Sequence, residues 1–177
     1  MNAIDIALLS VGTVSLLVIT WRVSLKAGRY HGVYRFFSLE SILILALLNW
    51  RYWFDEPFSW HQIVSWSLLI GSIVPAVEGF RLLRIVGRPE GQFENTTSLV
   101  KVGAYRYIRH PLYASLILLG LGIFFKTVSG IGAVLALVNV GAMVATARRE
   151  EKEMIDRFGS EYTAYMQETK VFIPHIF

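Results

Sequence analysis

Residues 107–116, YIRHPLYASL, place a guanidinium, an imidazole, a proline and a phenol directly before an apolar run. Arg109 can hold an anion through a planar fork of donors, and His110 can give or take a proton near neutral pH. Further along, ARREE sets Arg148 and Arg149 beside Glu150 and Glu151. A carboxylate there can bind a cationic ligand or accept a proton. Such groups suit a ligand of mixed charge. A plainer role also fits each one. Pro111 is well placed as the first residue of a helix, with Arg109, His110 and Tyr113 as interfacial anchors. Arg149 and Glu153 could form a surface i,i+4 pair worth about 0.2–0.5 kcal/mol.

The elements that must position these groups are membrane spans. Of 177 residues, 54% are hydrophobic and 17% charged, with mean hydropathy +0.50. Soluble domains average about 25% charged residues. Five stretches approach the ~20 apolar residues that cross a bilayer: 4–21, 36–54, 63–83, 111–125 and 128–147. The last two form a tight hairpin, which brings Glu150 and Glu151 near His110. The expected fold is therefore an all-α polytopic membrane protein with about five helices in one domain. Its parts are three N-terminal spans (1–83), a loop (84–110), the hairpin (111–147) and a tail (148–177). The loop reads as irregular. The tail spaces Met154, Phe158, Tyr162 and Tyr165 as an amphipathic helix, with Gly159 as a bend.

Charge orients the layout. All but Arg51 and Lys126 of the 17 Lys and Arg residues fall on one side. The positive-inside rule then puts the N-terminus outside and the C-terminus in the cytosol. The net charge of +4 reads as topology, not as nucleic-acid binding. The N-terminus has no basic leader and reads as a retained span. With no cysteine, disulfides, thiol nucleophiles and cysteine metal sites are excluded. His31, His61, His110 and His175 lack metal-ligand spacing, so no metal is expected. No glycine-rich phosphate loop is present. Gly120, Gly122, Gly130 and Gly132 read as close helix packing. Glu40, Asn49 and Glu78 lie in or near spans, where polar groups are costly. Glu78 is expected to partner Arg81 or Arg84.

The ordered set LVKVGAYRYIRHPLY, then EE, then FGSEYTAYM and a late proline resembles the isoprenylcysteine carboxyl methyltransferase family. That family belongs to a wider group with the membrane phospholipid N-methyltransferases. The likeness runs from about Ser98 to Pro174. It implies a pocket for S-adenosyl-L-methionine built from hairpin, loop and tail. Leu99, Val100, Tyr105, His110, Pro111, Tyr113 and Glu150 would bind the cofactor, with Arg109 or His110 facing its carboxylate. The acceptor would be lipophilic and reach the site through the bilayer. One departure concerns that acceptor. Where the family carries an arginine four residues before the first glutamate, this chain has Thr146. Arg148 to orient the acceptor and Glu151 as a base are the catalytic candidates. The loop from Glu90 to Thr97 also departs from the family pattern.

The leading expectation is carboxyl O-methylation of an isoprenylcysteine-like substrate in a prokaryotic cytoplasmic membrane. The alternatives are N- or O-methylation of a phospholipid or small lipid, an NADPH-dependent membrane reductase, and a non-enzymatic scaffold.

Overall fold

The computed structural model describes residues 2–90, 96–174 and 176. Among the described residues six α-helices follow one another: α1 (Ala3–Val23), α2 (His31–Asn49), α3 (Trp60–Ile85), α4 (Pro111–Phe124), α5 (Gly130–Phe158) and α6 (Ser160–Glu168). Among the described residues there is no strand, only two isolated bridges. The chain is an all-helical polytopic membrane protein.

Four helices, α1, α2, α3 and α5, are long and apolar enough to cross a membrane. The expected fifth span falls short. With 14 residues α4 rises about 21 Å, against about 30 Å of hydrocarbon. The reason it can be short lies in its neighbours. It packs against α2, α3 and α5, and every one of its residues is buried or half-buried. Protein, not lipid, meets its ends. Helix α1 is the opposite case. It exposes Val11, Val14, Leu17 and Trp21, as a helix facing lipid should.

Local chemistry explains the ends and interior of each helix. Asn2 and Asp5 close a reciprocal capping box at the start of α1. Ser129 caps α5 by accepting from the Gly132 amide. Within the spans, Ser10, Ser15 and Ser41 return their hydroxyl protons to carbonyls one turn back. That satisfies the hydroxyl where no water is at hand. Glu40 accepts from Thr13 at 2.6 Å and ties α2 to α1. Asn49 donates to the Leu45 carbonyl. Gly120 lies against Asn139 and Gly122 against Leu69, so both serve close packing.

Several boundaries differ from the sequence reading. Helix α2 begins at His31, a turn before the apolar stretch. Helix α5 runs on past Ala147 to Phe158, so the ARREE segment is helical. Gly159 then ends it with φ +56°, and α6 starts at Ser160. The antiparallel order gathers the α1–α2, α3–α4 and α5–α6 connections at one end. Arg51, Trp53, His61 and Lys126 lie at the other.

Candidate active site

The loop between α3 and α4 is held from below and above. Glu78 on α3 accepts from the Ala104 amide at 3.0 Å. It partners backbone, not Arg81 or Arg84; the Arg84 guanidinium sits over Phe80, 4.4 Å from the ring centre. Gly103 is needed at this point. Its φ is +58°, and a Cβ there would come within 2.4 Å of Glu78 Oε1. The turn Gly103–Arg106 that follows carries Tyr105 inward, 7% exposed. From above, the Tyr165 hydroxyl of α6 donates to the Tyr105 carbonyl.

The end of the tail runs beside this loop as a single parallel bridge between Ile108 and Lys170. Backbone bonds join Arg109 N to Lys170 O and His110 N to Val171 O. Arg109 fastens the arrangement. Its Nε donates to Glu151 Oε1 at 2.6 Å, while Nη1 reaches the Met166 and Thr169 carbonyls. Both members of the pair are nearly enclosed, 8% and 11% exposed. Arg109 thus joins loop, α5, α6 and tail. The sequence reading offers it to the cofactor carboxylate; here its Nε and Nη1 are engaged by protein acceptors, and it is absent from the cavity lining.

His110 precedes Pro111, which opens α4 and is itself buried against Gly79 of α3. The imidazole lies between the two glutamates. Nδ1 is 3.5 Å from Glu150 Oε2, and Nε2 is 3.4 Å from Glu151 Oε1. The second contact is an ion-pair distance without hydrogen-bond geometry. Tyr113 stacks on the ring, 5.3 Å between centres and 9° between planes. Burial acts to lower the His110 pKa. The adjacent Glu150 and Glu151 carboxylates outweigh it and raise the value above 6.5. Burial also pushes the Tyr105, Tyr162 and Tyr165 phenols far above their usual range. They are neutral donors and ring surfaces, not bases.

A cavity of about 290 Å³ opens beside this cluster. Leu99, Val100, Tyr105, His110, Tyr113 and Glu150 all line it. Of the expected site residues, three lie elsewhere. Pro111 is behind the wall, packed on α3. Glu151 is held by Arg109 and does not border the cavity. Arg148 is exposed on α5 and does not border it either. The unbroken helix explains the last point: Arg148 and Glu150 are i and i+2, and helical residues at that spacing face apart. Thr146 is fully enclosed and donates to the Ala142 carbonyl.

Sequence reasoning missed several lining residues. Met154, Tyr162 and Tyr165 were visible as an apolar stripe, but nothing in the stripe said which surface it covered. Arg35 of α2 and Phe80 and Leu83 of α3 gave no signal. Thr96 lines the cavity as well, while positions 91–95 of that loop lie outside the described residues. Among the described residues no three His, Asp or Glu side chains are grouped to hold a metal ion; His175 is outside them.

A family model described as phospholipid methyltransferase matches residues 60–161, more than half of the chain. The chain belongs to the phospholipid methyltransferase family. The match includes α3, α4 and α5, and with them His110, Tyr113, Glu150 and the loop that carries Tyr105. It reaches further toward the N-terminus than the motif likeness, which began near Ser98. The phospholipid methyltransferases are the wider group to which that likeness pointed. The chain is also 25% identical, over 147 residues, to the nickel-cobalt-cadmium resistance protein NccN of Alcaligenes xylosoxydans xylosoxydans. The match covers 82% of this chain and 64% of that protein's length.

Proposed function

We propose that this chain is an S-adenosylmethionine-dependent methyltransferase that modifies a lipophilic acceptor. The observation that carries the reading is Glu150. It is a carboxylate paired with His110 on the wall of a cavity otherwise made mostly of aromatic and aliphatic side chains. A lone carboxylate in such a wall suits a ligand that brings its own positive charge. The residues present therefore fit the cofactor. Glu150 would take its ammonium, with His110 nearby for its carboxylate. Tyr105, Leu99 and Val100 offer ring and aliphatic surface to the adenosine.

When bound, the cofactor supplies a methyl group on a sulfonium, whose sulfur keeps the bonding electrons and leaves as a neutral thioether. The acceptor's lone pair forms the new bond. The chain's own work is to align the two partners and keep water away. The side chains favour an acceptor that needs no base. Glu151 stays engaged with Arg109, and the buried phenols keep their protons. A carboxylate attacks as an anion, so no proton must be removed. We therefore favour carboxyl O-methylation of an isoprenylcysteine-like substrate. Phospholipid N-methylation is the second reading, favoured by the description of the matching family. It would release a proton from the acceptor nitrogen.

The basic residues gathered at the site end support placing that end in the cytosol, with the N-terminus outside, in a prokaryotic cytoplasmic membrane. The test is transfer of labelled methyl from S-adenosylmethionine by the detergent-purified chain. An S-prenylated N-acetylcysteine and a phosphatidylethanolamine would be offered separately. Labelled methyl ester supports the leading reading, and label on phosphatidylethanolamine alone supports the second. Label on neither acceptor, from chain that does not bind S-adenosylhomocysteine, overturns both.

A further inference from the structure

Glu78 is a charge that the methyl transfer does not use. It sits on α3 about two turns before the helix ends at Ile85, roughly 10 Å along the axis. An ionisable group within a span is costly and is kept where it has work to do. Glu78 does not border the cavity. Its Oε1 reaches out of α3 instead and accepts from the Ala104 amide at 3.0 Å, in the loop that leads to α4. That loop supplies Leu99, Val100 and Tyr105 to the cavity wall.

The Ala104 amide needs an acceptor from elsewhere. It stands at the start of the 3-10 turn Gly103–Arg106, where the first amides have no partner inside the turn. Tyr105 N already bonds back to the Val102 carbonyl, and Val102 has no polar side chain to cap with. Glu78 is that acceptor, and as a carboxylate it makes a charge-assisted bond. The backbone must pass close to α3 for this. A Cβ on Gly103 would come within 2.6 Å of Leu82 Cδ1 as well as striking Glu78. The residue after Ala104 is Tyr105. Its hydroxyl donates at 3.4 Å to the carbonyl of Gly79, the neighbour of Glu78 on α3. Its own carbonyl accepts from Tyr165. Amide and ring tip are thus both referred to α3, and the bond at Glu78 is the shorter and the charged one.

We propose that Glu78 is a positioning residue for the cofactor: by capping the turn Gly103–Arg106 it holds the Tyr105 ring at its place on the cavity wall. This inference rests on the methyltransferase reading and adds a residue that shapes the site without touching the ligand. Glu78 supplies an acceptor at a fixed point, and its charge is not presented to the cavity. An amide oxygen at that point can do the same work. A carboxylate one methylene shorter does it poorly, and a methyl group leaves the Ala104 amide without its partner, so the turn shifts and takes Tyr105 with it.

The test is calorimetric titration of S-adenosylhomocysteine into detergent-purified full chain: wild type, E78Q, E78D, E78A, Y105A and the E78A/Y105A double variant. E78A should weaken binding about tenfold and E78D about fivefold, while E78Q stays within about twofold of wild type. On the Y105A background E78A should cost about twofold or less, because the residue it acts through is gone. Thermal unfolding recorded beside each titration identifies the folded variants, and E78D decides the matter if E78A does not fold. A Glu78 that served stability alone would lower the melting temperature and leave the affinity of the folded chain unchanged. That result overturns the proposal. So does a loss in E78Q equal to that in E78A, or a loss as large on the Y105A background as in wild type. Wild type that binds no S-adenosylhomocysteine overturns the methyltransferase reading and this inference with it. Wild-type binding that no Glu78 variant alters overturns this inference alone.

Discussion

Both ends of the bundle bury charge, and they do so in different ways. At the end away from the cavity, Lys126 is 1% exposed. Its Nζ donates to Gln62 Oε1 and the Trp53 carbonyl, and it sits 3.7 Å from the Trp66 ring centre. All of its partners there are neutral, and it closes the α4–α5 turn against α2 and α3. At the other end four charged groups meet: Arg109, His110, Glu150 and Glu151. Two of them, His110 and Glu150, border a mostly apolar cavity, whereas Lys126 borders a wider hollow shared with Asp55, Glu56 and His61. The contrast separates two uses of a buried charge. Donating to neutral acceptors and lying over rings, Lys126 fastens the fold. Set beside a titratable partner on the wall of a mostly apolar cavity, Glu150 is placed for a ligand.

The largest effect expected from breaking this contrast is R109A. It leaves Glu151 without its ion-pair partner and frees the tail carbonyls, a loss of about 3–5 kcal/mol for a buried pair. Thermal unfolding in detergent should show the drop, with R109K recovering only part of it. E150Q comes next. It should weaken S-adenosylhomocysteine binding about 100-fold by calorimetry, since a charged hydrogen-bond partner is worth up to about 3 kcal/mol. Its melting temperature should fall much less than that of R109A, since His110 keeps Glu151 beside it. K126M reverses that pattern. Stability should fall by about 1–3 kcal/mol as Gln62 and the Trp53 carbonyl lose their donor, with cofactor affinity unchanged.

The smallest effect sharpens the comparison through pH. The folded-state pKa of His110 is raised, so its charge stabilises the fold fully below about pH 6.5, its unfolded value. The contribution is lost as pH rises through the raised value. The stability advantage of wild type over H110Q should therefore shrink steadily on going from about pH 6 to about pH 9. An advantage that grew over that range would contradict the placement of His110 between two carboxylates.

Much of the fold was legible because hydropathy and charge asymmetry act over whole segments. The four long helices and the hairpin of α4 and α5 follow from them. The length of α4 was legible too, since the apolar stretch 111–125 matches Pro111–Phe124 within one residue; its enclosure by α2, α3 and α5 was not, because apolar composition cannot tell a protein-facing helix from a lipid-facing one. In the site, His110, Tyr113 and Glu150 were legible as a motif, and the hairpin explained how they meet. Arg109 and Arg148 were assigned by residue type. One proved engaged with Glu151 and two tail carbonyls, and the other turned outward by the unbroken register of α5. Arg35 could not be found at all. It sits in a basic interfacial segment that reads only as topology, and the packing of α2 against α5 brings it to the cavity.

The central claim is that the cavity beside Glu150 and His110 is a cofactor site. The direct measurement is calorimetric titration of S-adenosylhomocysteine into detergent-purified chain, wild type beside E150Q, with NADPH titrated in parallel. The account predicts wild-type binding on the order of micromolar, weakened about 100-fold in E150Q, and no heat from NADPH. Silence from wild type toward S-adenosylhomocysteine, or equal affinity in E150Q, would contradict it.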